Sequence, residues 1–404
     1  MTNMRRRQGM PAARIGRIGS RRSLLTALVS AVLGVASINA HAQATPERAQ
    51  AKRLHDRLVG TPPSAPTLNQ MESMIDGGDV RGAAEYAIDR TRPESSPFYN
   101  VVLKNFATPW TNRDRNVFAP LNDYTATIIG LVRDDSDFRT ALYDDVVYVG
   151  QGGTYSPTSN THYENLEATA ADLRTVLQRT TQSSVSGIPA AATAGVITSR
   201  AASEAFFIDG TNRAMFRFTL LNHLCRDMEQ VQNTSYPPDR IRQDVTRSPG
   251  GDSRLFLNGC VGCHSGMDPM AQAFSYYDFD ETQGRLVYTP GAVQPKYLIN
   301  SDNFKPGFVT PNDNWENRWR TGANASLGWA PSGGSGQGAK SLGQELANSD
   351  AFADCQVDKV FRQICFRQPT NGERTTALNA FRTSGYSLRS VFVEAAVACS
   401  TPSP

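Results

Sequence analysis

Residues 260–264 read Cys260-Val261-Gly262-Cys263-His264. Two cysteines separated by two residues and followed directly by a histidine form the attachment pattern of a c-type haem. The two thiols add to the two vinyl groups of one porphyrin, and the spacer sets their separation. The adjacent histidine then supplies an axial nitrogen to the iron. Because the pattern occurs once, we predict one covalent haem c, anchored by Cys260 and Cys263 with His264 as the proximal iron ligand.

Two other chemistries use a similar pair of cysteines. A thioredoxin-like Cys-x-x-Cys lies at a strand-to-helix turn of a βαβ unit, and the surrounding sequence has no such unit. A zinc knuckle needs two further ligands nearby, and none follows His264. The sequence therefore favours haem attachment over both.

Outward from the motif, the apolar pattern predicts a mainly α protein, in which helical domains with long irregular loops surround one covalently bound haem c. Residues 211–231 have the apolar periodicity of a buried helix, and residues 163–181 have good helix formers at helical period. The stretch 110–160 is rich in Asn, Asp, Gly and Pro and indicates mostly loop, interrupted by apolar runs at 124–132 and 146–149. Further helices are predicted at 47–60, within 67–90, and at 98–106, 341–366, 371–383 and 387–399.

Four regions follow from these patterns. They are a signal peptide (1–44), an N-terminal helical region (45–200), a haem c-binding domain (201–340) and a C-terminal helical region (341–404). The first 44 residues carry seven arginines, no lysine and no acid, followed by an apolar stretch at 24–36 and small residues suited to cleavage after Ala44. This predicts export to the periplasm or beyond the cell. We expect the Sec route, because haem attachment needs an unfolded chain.

The 404-residue chain has a formal net charge of +3, but this value is misleading. After residue 44 there are 34 basic and 38 acidic residues, so the mature charge is −4 and nothing favours nucleic acid. No later stretch is apolar for long enough to span a bilayer, which predicts no transmembrane anchor after cleavage. The expected partner is a redox protein of the cell envelope, and self-assembly stays open.

The second axial ligand of the iron decides between electron transfer and reactivity, because a free position binds small molecules. Met267 and Met270 are too close to His264 to reach the other face of the haem. No methionine follows Met270 and no histidine follows His264, so a Met or His ligand is expected from upstream. His223 and Met215 are the candidates on the 211–231 helix, although both also fit its packed face. The remaining upstream candidates are His55, Met71, Met74, His162 and Met228. An open or water-bound position is the alternative.

Two further groups of residues carry expectations. Four cysteines remain, and an even number in an oxidising compartment predicts two disulfides, with three connectivities open. At least one bond is expected within the C-terminal helical region. Arginines just before the motif are candidate partners for the haem propionates, with a solvated basic loop as the alternative. The cysteines are Cys225, Cys355, Cys365 and Cys399; the arginines are Arg240, Arg242, Arg247 and Arg254.

Residues 256–280, with the Cys-x-x-Cys-His motif followed by Met267-Asp268-Pro269 and an aromatic-acid run, resemble the planctomycete-type cytochrome c proteins. These are secreted proteins in which domains of unknown function flank such a motif. A looser likeness extends over 50–395. This chain departs from the pattern at 270–273, where a glycine-bearing stretch is expected. The resemblance implies haem c binding and redox work, and it implies no substrate.

Three functions remain open from the sequence. The first is an exported monohaem c-type cytochrome that transfers single electrons in the periplasm or cell envelope. The second is a haem-dependent peroxidase or oxygenase with an open distal site, although no distal motif is recognisable. The third is an assembly protein with structural haem, which an exposed patch of Trp315, Trp319 and Trp329 would support.

Overall fold

Helix α5 (Asp123–Arg133) is buried on every side, with an amide side chain at its N-cap, where Asn122 accepts a hydrogen bond from the backbone N–H of Thr125 at 3.0 Å. A helix with no exposed face lies inside a protein core. This computed structural model describes residues 45–298 and 307–401, and α5 lies in the interior of that part of the chain. The main core around it includes side chains from Ala51 to Ala396.

The described residues are mainly helical, as the apolar pattern predicts. The helices are α1 (Pro46–Val59), α2 (Ala65–Asp76), α3 (Val80–Ala87), α4 (Leu103–Ala107), α5, α6 (Thr161–Ala168), α7 (Leu173–Val176), α8 (Gln182–Ser186), α9 (Arg200–Phe206), α10 (Arg213–His223), α11 (Met228–Val231), α12 (Ser253–Leu255), α13 (Val261–Ala271), α14 (Gly338–Ala347), α15 (Asp350–Cys365), α16 (Asn371–Thr383) and α17 (Leu388–Ser400). Single π-helical turns at Phe98–Val102 and Phe256–Cys260 precede α4 and α13.

Six short strands form three antiparallel pairs within the described residues. Each pair is a separate two-stranded sheet, so no larger sheet organises this part of the chain. The strands are β1 (Val147–Gly150) with β2 (Leu177–Thr180), β3 (Tyr277–Asp280) with β4 (Arg285–Tyr288), and β5 (Asn314–Glu316) with β6 (Ser335–Gln337).

The N-terminal helices pack against the C-terminal ones. Gln50 donates to the hydroxyl of Ser400 at 2.9 Å, and Arg53 donates to its backbone carbonyl at 2.7 Å. Arg57 on α1 donates to the carbonyl of Ile364 on α15 at 2.8 Å. These contacts join the first described helix to α15 and α17. The main hydrophobic core contains side chains from both helical regions.

Two cysteine pairs lie at disulfide distance. The Cα atoms of Cys225 and Cys355 are 5.2 Å apart, and those of Cys365 and Cys399 are 5.7 Å apart. The second pair joins the ends of α15 and α17 in the C-terminal region, as expected. The first pair ties the segment after α10 to α15, which selects one of the three connectivities left open by the sequence.

The prediction of one helix over 163–181 is wrong. Helix α6 ends near Ala170, which has a left-handed φ of 49°, and Asp172 caps the short helix α7 by accepting from the backbone N–H of Arg174. The chain then extends as β2 because β1 offers its backbone groups for pairing. The apolar run 124–132 inside the predicted loop is the buried helix α5.

The prediction of one helix over 211–231 is also wrong. Helix α10 stops at His223, and Cys225 has a left-handed φ of 53° that lets it reach Cys355. Asp227 then caps a separate helix, α11. The helix predicted over 341–366 is likewise two helices, because Ser349 caps a new start by accepting from the backbone N–H of Phe352.

Several helix predictions are confirmed, because local signals decide those boundaries. The prediction over 47–60 corresponds to α1, and those over 371–383 and 387–399 correspond to α16 and α17. At the start of α16, Thr370 and Glu373 form a reciprocal capping box, in which each side chain accepts from the other residue's backbone N–H. The predicted signal peptide, 1–44, lies outside the described residues. In residues 45–298 and 307–401, no helix is both long and apolar enough to cross a membrane.

Candidate haem-attachment site

Helical register places the three motif side chains on one face. Cys260 is the N-cap of α13, so Cys260, Cys263 and His264 occupy positions i, i+3 and i+4 of the helical turn. Residues at these spacings are neighbours on a helix surface. All three are partly exposed. The helix therefore presents two thiols and one imidazole together at the protein surface.

The segment that precedes α13 is a π-helical turn, Phe256–Cys260, which continues directly into the helix. Such turns often occur at functional sites. The segment after α11 runs alongside, with the backbone N–H of Asn233 donating to the carbonyl of Gly262 at 2.8 Å. On another side of the helix, the fully buried Trp319 lies so close to Gly266 that a Cβ there would be 2.0 Å from its indole nitrogen. These contacts hold the buried sides of α13 and leave the motif face outward.

The imidazole of His264 contacts the buried carboxylate of Asp268. Nδ1 of His264 lies 3.2 and 3.3 Å from the two carboxylate oxygens of Asp268, whose side chain is fully buried. Burial alone would raise the pKa of Asp268, but the charges of Arg213, His264 and Arg242 hold it well below its ordinary value. Among the described residues, no hydrogen bond involves Nε2 of His264. This is the arrangement of a metal-ligating histidine, with one nitrogen held by a carboxylate and the other available.

The two motif thiols differ from the other four cysteines. Cys260 and Cys263 are unpaired and half-buried, whereas Cys225, Cys355, Cys365 and Cys399 lie in the two pairs at disulfide distance. Burial raises the pKa of Cys263, and the neighbouring Cys260, Glu229 and Asp227 raise it further. Neither motif thiol is engaged in a disulfide within the described residues, as attachment to a porphyrin would require.

Apolar surface surrounds the first anchor. A small cluster separate from the main core contains Ile241, Val245, Phe256 and Val261, and Cys260 packs against it. Leu257, three residues before Cys260, is 57% exposed, and Leu255 is 56% exposed. Exposed leucines beside the anchors offer contact area that a porphyrin ring would bury. The donor set and its surroundings fit a covalently held haem.

The structure places the two candidate sixth ligands in the interior. His223 is buried, its Nε2 lies 2.7 Å from the hydroxyl of Tyr124, and burial lowers its pKa well below the ordinary value, with Lys359 adding to the effect. Met215 is buried in the main core, where its sulfur accepts from Thr219.

The other upstream histidines also have partners. Nδ1 of His55 lies 2.9 Å from the backbone carbonyl oxygen of Thr61. Nε2 of His162 accepts from the backbone N–H of Gly150. Met228 is different, because its backbone carbonyl lies 3.7 Å from Sγ of Cys263.

These positions predict the outcome of two substitutions. With haem attached as the motif predicts, replacing His223 by Gln or Met215 by Leu should leave the optical spectrum unchanged, because both side chains are buried in the protein interior. The free energy of unfolding should fall modestly for His223→Gln, since the hydrogen bond to Tyr124 is disturbed. Absorption spectra of the oxidised and reduced proteins check this. A change of spin state in either variant would identify that residue as an iron ligand.

The arginines before the motif already contact protein groups. Arg240 donates to Gln272, Arg242 to Thr211, Arg247 to the backbone carbonyl of Val245, and Arg254 to Asp252. Arg242 is almost fully buried and its guanidinium lies over the ring of Tyr297. The side chain of Arg254 is 82% exposed, and an exposed ion pair has a small energy. Of the four, Arg254 can therefore reorient toward a propionate at the smallest cost.

The tryptophans do not form the exposed patch that an assembly role would need. Trp315 and Trp319 are buried, and the indole N–H of Trp329 donates to the backbone carbonyl of Trp319 at 2.9 Å. Core packing therefore explains them.

Sequence reasoning missed the roles of Asp268 and Arg213. The His264–Asp268 spacing of four residues is a visible signal, because it places both side chains on one face of a helix. Arg213 gave no signal, since its contact with Asp268 joins residues far apart in the chain. The described residues contain no group of three or more His, Cys, Asp or Glu side chains that could hold a metal ion.

Comparison with known proteins adds no assignment. No protein-family model matches the chain, and no curated protein and no solved structure matches it.

Proposed function

We propose that this protein is an exported monohaem c-type cytochrome that transfers single electrons in the periplasm or cell envelope. The observation that carries the proposal is the shared helix face of Cys260, Cys263 and His264, with the buried Asp268 behind the histidine. The planctomycete-type resemblance of the motif supports the same class. A redox protein of the cell envelope is the proposed partner.

Each motif residue has a distinct task in this proposal. Cys260 and Cys263 provide the thioether sulfurs, and the first turn of α13 fixes their spacing. His264 offers Nε2 to the iron while its Nδ1 faces Asp268. A covalently held haem supplies a one-electron iron couple. The exposed leucines at 255 and 257 would pack against the porphyrin ring and lose contact with water.

The test starts with the wild-type chain, exported in a host that matures c-type cytochromes. We expect haem to stay with the polypeptide on a denaturing gel and the mass to increase by one haem. The reduced protein should then show a low-spin c-type spectrum that carbon monoxide does not change. A chain that is exported and folded but carries no covalent haem would refute the proposal.

A second candidate is a haem-dependent peroxidase or oxygenase with an open distal position. The observation that favours it is the interior location of His223 and Met215, with His55 and His162 held by other hydrogen bonds. The same spectrum separates the two candidates. A high-spin spectrum that shifts with carbon monoxide would select the second candidate, and peroxide turnover would be measured next.

A further inference from the structure

The hydrogen bond behind His264 belongs to a larger charged cluster. Arg213 holds Asp268 with two hydrogen bonds, from Nε to Oδ1 at 2.7 Å and from Nη2 to Oδ2 at 2.9 Å. Asp244 accepts two further hydrogen bonds from Arg213, at 2.6 and 2.9 Å. Arg242 donates to the backbone carbonyl of Asp268 at 3.2 Å. Two carboxylates and two guanidinium groups therefore balance in charge beneath the imidazole.

The cluster fixes the position of Asp268. Its side chain is fully buried on α13, and Arg213 reaches it from α10, the helix packed alongside. A carboxylate held by a two-point arginine contact cannot swing away from its neighbours. The ring of His264 is more exposed and has this one side-chain partner among the described residues. The orientation of the ring therefore depends on Asp268.

We propose that Asp268 is a positioning residue that orients His264 and lowers the midpoint potential of the iron, and that Arg213 limits the size of this effect. The inference rests on the proposed haem attachment. An Nδ1–H that donates to a carboxylate fixes the tautomer in which Nε2 carries the lone pair, and it makes Nε2 a stronger donor. A stronger donor stabilises ferric over ferrous iron. Arg213 draws on both oxygens of the same carboxylate and so weakens its pull on the histidine.

The test compares three single variants of the haem-loaded, full-length protein. Asp268→Asn keeps the shape and removes the charge, so the midpoint potential should rise. Arg213→Gln leaves His264 as a principal partner of Asp268, so the potential should fall. Asp244→Asn is the matched control, because Asp244 shares Arg213 but does not contact His264. Potentials are measured by optical titration, and the Nδ1–H resonance of His264 is followed by NMR.

The control separates a hydrogen-bond effect from a general charge effect. We expect the shifts of both the potential and the Nδ1–H resonance to be several times larger for Asp268→Asn than for Asp244→Asn, which acts on His264 only through Arg213. Equal shifts at 268 and 244, or an unmoved resonance in Asp268→Asn, would overturn the inference. If Asp268→Asn does not fold, an unchanged potential and resonance in Arg213→Gln would overturn it. A wild-type protein without haem would instead refute the proposed function.

Discussion

Replacing both Cys260 and Cys263 by Ser should abolish covalent haem attachment while leaving a folded chain. A serine hydroxyl does not form the thioether, so the polypeptide keeps no covalent link to the porphyrin. The fold should survive because both side chains are only half-buried and outside the two cysteine pairs. Haem staining after denaturing electrophoresis and intact mass measure the attachment, and far-ultraviolet circular dichroism measures the fold. Each single variant should retain at most one thioether.

The C-terminal cysteine pair provides a matched control. Cys365→Ser with Cys399→Ser also removes two sulfur atoms, but the pair lies at the ends of α15 and α17, away from the motif helix. Loss of a cross-link over a loop of this length should lower the free energy of unfolding by about 3–4 kcal/mol. Covalent haem should remain at the wild-type level. Full attachment in the Cys260 and Cys263 double variant would show that the motif is not the attachment site.

The parts of the fold that local signals encode could be predicted from the sequence. The capping box at Thr370 and Glu373 marks the start of α16, and Gly60, with a left-handed φ of 76°, ends α1 just before two prolines. The parts that depend on distant partners could not be predicted. Strand β2 has no turn signal toward β1, because its partner lies about thirty residues earlier. The left-handed conformation of Cys225 similarly follows from its pairing with Cys355.

The same distinction applies to the site. The sequence of residues 260–264 shows which atoms would bind a haem, because the motif and its chemistry are local. It does not show what orients the histidine, since the contact between Arg213 and Asp268 joins two helices that are distant in sequence. Nor does it show which surface is apolar. The sequence does not distinguish Leu255 and Leu257 from buried leucines, and their exposure appears only when the chain is folded.

Gly266→Ala should destabilise the protein strongly for a single methyl group. The added Cβ would lie 2.0 Å from Nε1 and 2.9 Å from Cδ1 of Trp319. The indole cannot move easily, because it is fully buried and packs edge-on against Phe216 with ring centroids 5.7 Å apart. Overpacking costs up to about 3 kcal/mol, and a 2.0 Å approach to a buried ring belongs at that upper end, well above the roughly 1 kcal/mol that alanine gains over glycine in a helix. Chemical denaturation of the purified protein measures the change.

Gly372→Ala is the matched control for this substitution. Gly372 lies in the first turn of α16, and a Cβ there meets nothing within 4 Å. The same chemical change should therefore leave the free energy of unfolding unchanged or raise it slightly. In Gly266→Ala, by contrast, the loss should extend to the site, because α13 carries Cys263, His264 and Asp268 and must shift to relieve the contact with Trp319. Equal stabilities of the two variants would mean that Trp319 does not pack against α13 as described, and that the buried side of the motif helix is held by other contacts.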